Sequence, residues 1–179
     1  MRADSFDLRV MRWVAEHRSG WATWFTGHLL EASGSSKLLG LITLALLAVV
    51  VWRRAHRAAV GVVVAVVVSS VVGVLLKSLI HRPRPPRYLS LIHPAGSAMP
   101  STHSARAAAA SAALYVALKW ANNRSREIAL AILVVLNIVI GASLVYLGAH
   151  WLTDVLAGWV LGVAIGVGIG ALSRGRAAT

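Results

Sequence analysis

Residues 58–80 read AAVGVVVAVVVSSVVGVLLKSLI, an apolar run whose one charge, Lys77, lies near its end. A helix needs about 20 apolar residues to cross the hydrocarbon core of a bilayer. Valine favours strands in water, but in lipid every backbone polar group must be bonded within the segment, which forces a helix. This stretch therefore predicts a membrane-spanning helix.

The rest of the chain has the same character. It is 58% apolar and 13% charged over 179 residues, whereas a soluble domain carries about 25% charged residues. Further apolar runs predict spans at about 35–52, 104–120, 128–149 and 153–172. The sequence thus predicts an all-α, polytopic membrane helical bundle with five spans, whose core covers residues 35–179.

Residues 1–34 differ from this core. Charged residues of both signs are interleaved there with aromatic ones such as Trp13 and Trp21, and no apolar run resembles a signal peptide. This composition favours an amphipathic segment that lies at the membrane interface. A sixth, short span through residues 21–30 is the alternative.

Charge and cysteine content limit the function classes. The formal net charge is +12 and the chain has no cysteine, which excludes disulfides, thiolate zinc sites and a cysteine nucleophile. In a soluble protein this charge would suggest nucleic acid, but in an apolar chain basic loops beside anionic lipid account for it. We expect a bilayer and a membrane lipid as partners and no nucleic acid; the oligomeric state is open.

All five prolines lie between residues 83 and 100. Because proline breaks helices and restricts the residue before it, residues 81–103 are predicted to form a loop. The chain then crosses the membrane twice between His103 and His150. Residues 77–103 and 148–154 are therefore expected on the same face, where polar side chains remote in sequence can meet.

Three polar clusters lie on this shared face. Lys77 and Arg84 supply positive charge, and arginine can bind phosphate oxygens through two parallel hydrogen bonds. Residues 101–103 begin a helix, whose free N–H groups attract an anion. The candidate residues of the three clusters are Lys77 and Arg84; Ser101, Thr102 and His103; and Ser143, His150 and Asp154.

His150 and Asp154 are four residues apart and so share one helix face. A carboxylate beside one imidazole nitrogen fixes the tautomer and leaves the other nitrogen free as a nucleophile or base. His103 adds a second imidazole for proton transfer. The set fits attack on a phosphate ester.

Each cluster also has a structural interpretation. Lys77 and Arg84 could be interfacial anchors, His103 a helix-cap residue, and His150 with Asp154 a polar pair. A carboxylate beside lipid-spanning sequence is nevertheless costly, which favours a functional role for Asp154.

The sequence predicts neither a metal site nor a cofactor. No HExxH motif and no carboxylate cluster accompany the histidines, and the charges of Lys77 and Arg84 would serve in place of a metal. A different pattern, glycine at every fourth position of the last span, indicates a close helix-packing face. These glycines are Gly158, Gly162, Gly166 and Gly170.

In its three clusters the chain resembles the type 2 phosphatidic acid phosphatase family of membrane lipid phosphatases, whose core is related to vanadium-dependent haloperoxidases. The family pattern begins with a lysine, six residues and Arg-Pro, which here is Lys77 to Arg84-Pro85. It continues with Pro-Ser-Gly-His, where this chain has threonine for glycine, and ends with serine, histidine and aspartate. The matching residues are Pro100-Ser101-Thr102-His103 and, at the family's separations, Ser143, His150 and Asp154.

The resemblance implies metal-independent hydrolysis of a lipid phosphate or pyrophosphate, such as a polyprenyl or phospholipid phosphate. By family role His150 would be the nucleophile that forms a phosphohistidine, and Asp154 would orient it. His103 would protonate the leaving oxygen and later activate water. Lys77, Arg84, Ser101 and the backbone near Thr102 would hold the phosphate oxygens.

One position departs from the family. Arginine follows the serine of the third motif there, but Leu144 follows Ser143 here. Loss of one such donor would cost on the order of 10²–10³ in rate. Arg106, one helical turn after His103, or Arg82 could replace it, and we favour Arg106 because a charge inside a span is otherwise costly.

The sequence leaves two alternative functions open. Without a replacement for the arginine, the chain would be a catalytically weak or inactive lipid-phosphate binding or flipping protein. A haloperoxidase would share the pocket, but an entrance in the membrane suits lipids better.

The orientation is judged from the basic loops. Once Lys77, Arg82, Arg84 and Arg106 are set aside for function, the loops on the opposite face carry more Lys and Arg. The positive-inside rule then predicts a multi-pass protein of the cell membrane with its site on the extracytoplasmic face. The charged amino-terminal segment would have to cross as well, which favours the reverse.

Overall fold

The computed structural model describes residues 5–34 and 56–174, and all regular structure within them is helical. This confirms the predicted all-α class for these residues. The span predicted at 35–52 lies outside them. In chain order the helices are α1 (Ser5–Glu16), α2 (Gly20–Gly34), α3 (His56–Ile80), a 3₁₀ turn (Arg87–Leu89), α4 (Thr102–Ala117), α5 (Asn123–Tyr146) and α6 (Leu152–Ser173).

Three of the described helices, α3, α5 and α6, are long and apolar enough to cross a membrane. They correspond to the spans predicted at 58–80, 128–149 and 153–172. The predicted span 104–120 corresponds to α4, which has 16 residues and ends at Ala117. The total of five spans, and the alternative of six, therefore stay predictions.

Helices α4 and α6 pack closely along the glycine face of α6. A Cβ atom added at Gly158 would lie 2.5 Å from the carbonyl oxygen of Ser101, and one at Gly166 would lie 2.5 Å from that of Ala109. Real Cβ atoms do not approach so near, so only glycine permits this distance between the helices. The predicted packing face is confirmed.

Helix α3 covers the other side of this pair. Ala65 of α3 is fully buried against Ala109 and Ala113 of α4, and Gly73 faces the side chain of Thr102. Because α3 ends near the start of α4, Lys77 is brought to the same end of the bundle as residues 101–103. Small residues thus set the positions of the helices that carry the site.

The loop predicted at 81–103 is present, although α4 already begins at Thr102. It lies against the connection between α5 and α6: the Leu91 N–H donates to the Leu147 carbonyl at 2.9 Å, and the Ser90 hydroxyl donates to the Gly148 carbonyl at 2.9 Å. Gly148 has φ +74°, and a Cβ there would lie 2.5 Å from Ser90 Cα. A glycine is required because the loop approaches this left-handed turn so closely.

The N-terminal helices pack on the site end of the bundle. Met11 of α1 is fully buried in a cluster with Leu144, Trp151 and other apolar residues of α5 and α6. Arg18, between α1 and α2, donates to the carbonyl oxygens of Tyr146 and Leu89. The interfacial position expected for residues 1–34 and the sixth span stay predictions, but this contact with the core was not predicted.

Candidate active site

The three polar clusters meet at one end of the bundle. Arg84 Nη1 lies 3.4 Å from His150 Nε2, and the Ser101 N–H donates to the Asp154 carbonyl at 2.9 Å. Lys77 Nζ donates to the carbonyl oxygens of Ser97 at 2.7 Å and Ala98 at 3.1 Å, which ties the loop to α3. The convergence expected from counting spans is therefore observed.

His150 and Asp154 are both buried where α5 ends and α6 begins. His150 Nδ1 lies 3.5 Å from Asp154 Oδ2, which is longer than an ordinary N–H···O hydrogen bond. Catalytic hydrogen bonds are often this long before substrate binds. The carboxylate faces one ring nitrogen, so the other, Nε2, is left to face Arg84.

The environment of His150 favours the neutral imidazole. Burial lowers the pKa of His150 most strongly; Asp154 raises it, and the positive charges of Arg84 and Lys77 lower it. The net direction is downward from the ordinary value of 6.5. A neutral ring keeps the lone pair that a nucleophile needs at neutral pH.

His103 lies in the first turn of α4 and is exposed. The protein around it nevertheless disfavours the charged form of its ring. The pKa of His103 is lowered to about 4, first by burial and then by the charges of Arg106, His150, Lys77 and Arg84. Each of these groups is therefore near enough to act on His103 electrostatically.

The guanidinium of Arg84 is fixed by backbone carbonyls. It donates to Ala149 at 2.7 Å, Gly96 at 3.0 Å and Ala95 at 3.2 Å. These bonds join the loop to the segment just before His150. They hold a permanent positive charge beside the imidazole, and no carboxylate within residues 5–34 and 56–174 forms an ion pair with it.

Two of the predicted phosphate ligands have other contacts in this structure. Ser101 is fully buried and caps α4, and its Oγ accepts from the Ser104 hydroxyl at 3.1 Å. The Ser143 hydroxyl donates to the Val139 carbonyl at 2.7 Å within α5, so its hydrogen is already used. A phosphate-binding role for Ser101, Thr102 and Ser143 stays a prediction.

The two candidate replacements for the missing arginine differ in position. Arg106 is exposed, its Nε donates to the Thr102 carbonyl at 3.3 Å, and its charge acts on His103. Arg82 is 5% exposed and its guanidinium is bonded to carboxylates. The guanidinium of Arg82 is thus already engaged, whereas Arg106 is exposed near His103, and its role as the replacement stays a prediction.

Leu144 packs in the core. It is 2% exposed and belongs to the apolar cluster that contains Met11 and Trp151. A charged side chain in this place would have to be buried against α1. The leucine is therefore explained by the docking of the N-terminal helix.

Asp7 is the site-end residue that sequence reasoning missed. Arg82 Nη2 donates to Asp7 Oδ2 at 2.5 Å, while Arg82 Nη1 donates to Asp154 Oδ1 at 2.7 Å. A signal was present in the sequence: Asp7 has no basic residue three or four positions away, and it shares a helix face with Met11 and Val14. An acidic residue on an apolar helix face, with no basic residue one helical turn away, indicates a basic partner that is remote in sequence.

Within residues 5–34 and 56–174, no group of three or more metal-ligating side chains is close enough to hold an ion. Among these residues, Asp154 is the one carboxylate that faces His150, and the positive charges of Arg84 and Lys77 act on the same ring. Metal-independent chemistry remains a prediction from the sequence.

Two cavities lie near the site. One, of about 340 Å³, is beside Arg84 and is lined also by Arg87 and His93. The other, of about 440 Å³, is an apolar groove between α4, α5 and α6, lined by side chains that include Leu133, Val134 and Trp159.

Two solved structures share the fold. The chain superposes with a TM-score of 0.80 on the crystal structure of a transmembrane PAP2-type phosphatidylglycerolphosphate phosphatase from Bacillus subtilis, at 24% identity over 94% of this chain and 84% of that one. It superposes on Aquifex aeolicus LpxE with a TM-score of 0.69, at 24% identity over 94% of each chain.

A comparison with curated proteins finds no match. The sequence profile of the PAP2 superfamily matches residues 58–176, more than half of the chain, and this range contains all three polar clusters. The chain is a helical membrane protein that belongs to the PAP2 superfamily.

Proposed function

We propose that this protein hydrolyses the phosphate or pyrophosphate ester of a membrane lipid, with His150 as the nucleophile. The observation that carries the proposal is the position of the His150 ring, with Nδ1 toward the Asp154 carboxylate and Nε2 toward Arg84. A similar fold in a phosphatidylglycerolphosphate phosphatase supports a lipid phosphate as the substrate class.

The reaction proceeds in two steps. The lone pair of His150 Nε2 attacks phosphorus and forms a P–N bond, while the bond from phosphorus to the lipid oxygen breaks. Protonated His103 gives its proton to that oxygen, so the lipid product leaves as an alcohol or a shortened phosphate. The phosphorylated ring is cationic, and Asp154 stabilises it.

Water completes the cycle. Neutral His103 takes a proton from water as the oxygen attacks phosphorus, and the P–N bond breaks to release phosphate and restore His150. The lowered pKa of His103 keeps its ring neutral at pH 7, so that a nitrogen is free to take this proton. In the first step the bound phosphate supplies the negative charge that stabilises protonated His103.

Positive charge stabilises the transferring group. Arg84 is fixed beside Nε2, and Lys77 and Arg106 lie near enough to act on His103. The first N–H groups of α4 have no acceptor within their own helix and add to this anion-binding set. Fixed donors of this kind stabilise a developing phosphorane charge without reorganising.

The apolar groove supports a lipid substrate. Its lining begins at Ala108 of α4 and Trp159 of α6, each five residues along its helix from His103 or Asp154. At about 1.5 Å per residue this places the groove roughly 7–8 Å from the site along the helix axes. A lipid tail in the groove would leave its head group at His150.

The cavity beside Arg84 favours a substrate with a second anionic group. Arg84, Arg87 and His93 line it, so a second phosphate of a lipid diphosphate would meet fixed positive charge there. Polyprenyl diphosphates and phospholipids with a phosphorylated head group both fit this description.

We propose that the site opens on the extracytoplasmic face of the cell membrane.

The alternative is a lipid-phosphate binding protein without turnover, which Leu144 favours because it replaces a cationic residue of the family. Phosphate release from phosphatidic acid and from a polyprenyl diphosphate in detergent micelles decides between the two. We expect turnover by the wild-type protein and none by His150→Ala. Binding of both lipids without phosphate release would support the alternative.

A further inference from the structure

A buried chain of ion pairs connects α1 to the carboxylate beside His150. Asp7 of α1 accepts from Arg82, and Arg82 also donates to Asp154. The two carboxylate side chains are fully buried and the Arg82 side chain is 6% exposed. The guanidinium lies over the Trp151 ring, 5.8 Å from its centroid.

Further hydrogen bonds fix both carboxylates. The Thr153 N–H donates to Asp7 Oδ1 at 3.1 Å, and the Thr153 hydroxyl donates to Asp7 Oδ2. Arg82 Nη1 contacts the Thr153 hydroxyl at 2.6 Å, and the Trp151 N–H donates to Asp154 Oδ2 at 2.9 Å. The network is well bonded, as buried charges require.

Attachment of α1 does not by itself explain these charges. The apolar cluster around Met11 already packs α1 against the core. A buried ion pair is often no more stabilising than apolar residues of the same volume, since desolvation offsets the attraction. The network instead connects to Asp154, the one carboxylate that faces His150 among the described residues.

We propose that Asp7 is a positioning residue: it holds Arg82 so that Arg82 fixes Oδ1 of Asp154 and leaves Oδ2 directed at His150 Nδ1. The inference rests on the proposed function, in which His150 attacks phosphorus. The N-terminal helix is then part of the active-site structure, not only a segment beside the membrane.

Asp7 also sets the charge that Asp154 presents to His150. The single positive charge of Arg82 is shared between two carboxylates. Without Asp7, the positive charge of Arg82 would be compensated by Asp154 alone. Asp154 would then attract a positive charge on His150 less strongly, so the imidazolium or phosphorylated form of His150 would be less stabilised. The groups that face His150 or its carboxylate partner are Lys77 of α3, Arg82 and Arg84 of the loop, His103 of α4, Asp7 of α1 and Asp154 of α6.

The test is Asp7→Asn in the full chain, which removes the charge and keeps the shape. We expect kcat for a lipid phosphate to fall about 10–100-fold with little change in KM, by analogy with the residues that orient histidine ligands in metal sites. The acid limb of the pH profile should move to lower pH, because a less basic His150 stays neutral further into acid. Asp7→Glu should restore part of the activity.

The matched control is Glu16→Gln, the same change of charge at an exposed position of the same helix. It should leave kcat and the pH profile as in the wild type. If Asp7→Asn does not fold, Thr153→Val removes one hydroxyl from the network and keeps the backbone bond. It should shift the acid limb in the same direction with a smaller loss of kcat.

An NMR titration of His150 separates this inference from the proposed function. A folded Asp7→Asn protein with unchanged kcat and an unchanged His150 titration midpoint would overturn the positioning role, even if His150→Ala abolishes activity. If the wild type releases no phosphate, the proposed function is wrong. The NMR titration would still test the effect of Asp7 on His150, because the inference requires a lower His150 titration midpoint in Asp7→Asn than in the wild type.

Discussion

Arg84 Nη1 lies 3.4 Å from His150 Nε2, the ring nitrogen that faces away from Asp154. The two residues are 66 positions apart and come from different segments of the chain. The contact places a permanent positive charge where negative charge would develop if Nε2 attacked a phosphate. A purely structural His–Asp pair would not need this contact, so the arrangement supports the proposed role of Nε2 as the nucleophile.

Removal of Arg84 or Arg106 should impair phosphate transfer. We expect Arg84→Ala to lower kcat/KM on the order of 10²–10³-fold, the effect of one missing donor to a developing oxyanion. Arg106→Ala should have a comparable effect if Arg106 replaces the family arginine at Leu144. The assay is phosphate release, with Arg124→Ala at the opposite end of the bundle as the control. Wild-type activity in Arg106→Ala would show that Arg106 is not the replacement.

Binding of an anion should raise the pKa of His103. In the ligand-free protein this pKa is about 4, because burial and neighbouring positive charges disfavour the imidazolium. A bound phosphate analogue adds negative charge beside the ring, so the titration midpoint should move to higher pH. NMR titration with and without vanadate measures the shift.

Arg106→Ala provides a second check on His103. Since Arg106 lowers the pKa of His103, its removal should raise the midpoint even without vanadate, whereas Arg124→Ala should not. If neither saturating vanadate nor the loss of Arg106 changes the titration midpoint of His103, the result would contradict an anion site shared by His103 and Arg106.

The apolar groove should recognise the lipid tail. Val134 and Val135 are neighbours on α5 and both are exposed, but Val134 lines the groove and Val135 does not. We expect Val134→Trp to raise KM for a long-chain lipid phosphate and to leave a short-chain soluble substrate unaffected. Val135→Trp should change neither value. Equal effects of the two substitutions on KM for the long-chain substrate would rule out the groove as the binding site of the lipid tail.

The cavity beside Arg84 should bind a second anionic group. Because Arg87 lines it, Arg87→Ala should raise KM for a lipid diphosphate about tenfold, which is the loss of one charge-assisted hydrogen bond. KM for the matching monophosphate should stay unchanged and serves as the internal control. The same KM increase for both substrates would place the second phosphate elsewhere.

The glycine face of α6 should tolerate no methyl group. A Cβ at Gly162 would clash with the Ala105 carbonyl, while Gly168 has open space. We expect Gly162→Ala to destabilise the protein by about 1–3 kcal/mol through overpacking. Gly168→Ala on the same helix should not destabilise it. Thermal unfolding in detergent compares the two, and equal melting temperatures would contradict the packing.

Hydropathy and span counting predicted the arrangement around the site because lipid leaves few choices. Long apolar runs in lipid must be helices, and the two crossings predicted between His103 and His150 would return the chain to the same face. The glycine spacing likewise predicted a close packing face on α6, since residues four apart lie on the same face of a helix. The structure shows that α4 is the helix packed against this face. These predictions depend on local composition and periodicity, which the sequence displays directly.

Other features depend on tertiary contacts that have no periodic signal. Arg82 and Asp7 are 75 residues apart, and their pairing follows from the docking of α1 on the site. The end of α4 was predicted too late, at residue 120, because Lys119 is the first charge after Arg106 in this apolar run. The chain instead leaves the helix at Leu118, and Trp120 Nε1 donates to the Tyr115 carbonyl at 3.0 Å.

The most direct test of the account is to trap the phosphorylated enzyme. His103→Ala should accept a phosphoryl group from a radiolabelled lipid diphosphate, whose leaving phosphate needs little protonation, and should release it slowly because the base for water is missing. We predict an acid-labile, base-stable label that mass spectrometry assigns to His150, and none in His103→Ala/His150→Ala. Label on another residue, or turnover by His150→Ala, would contradict the account.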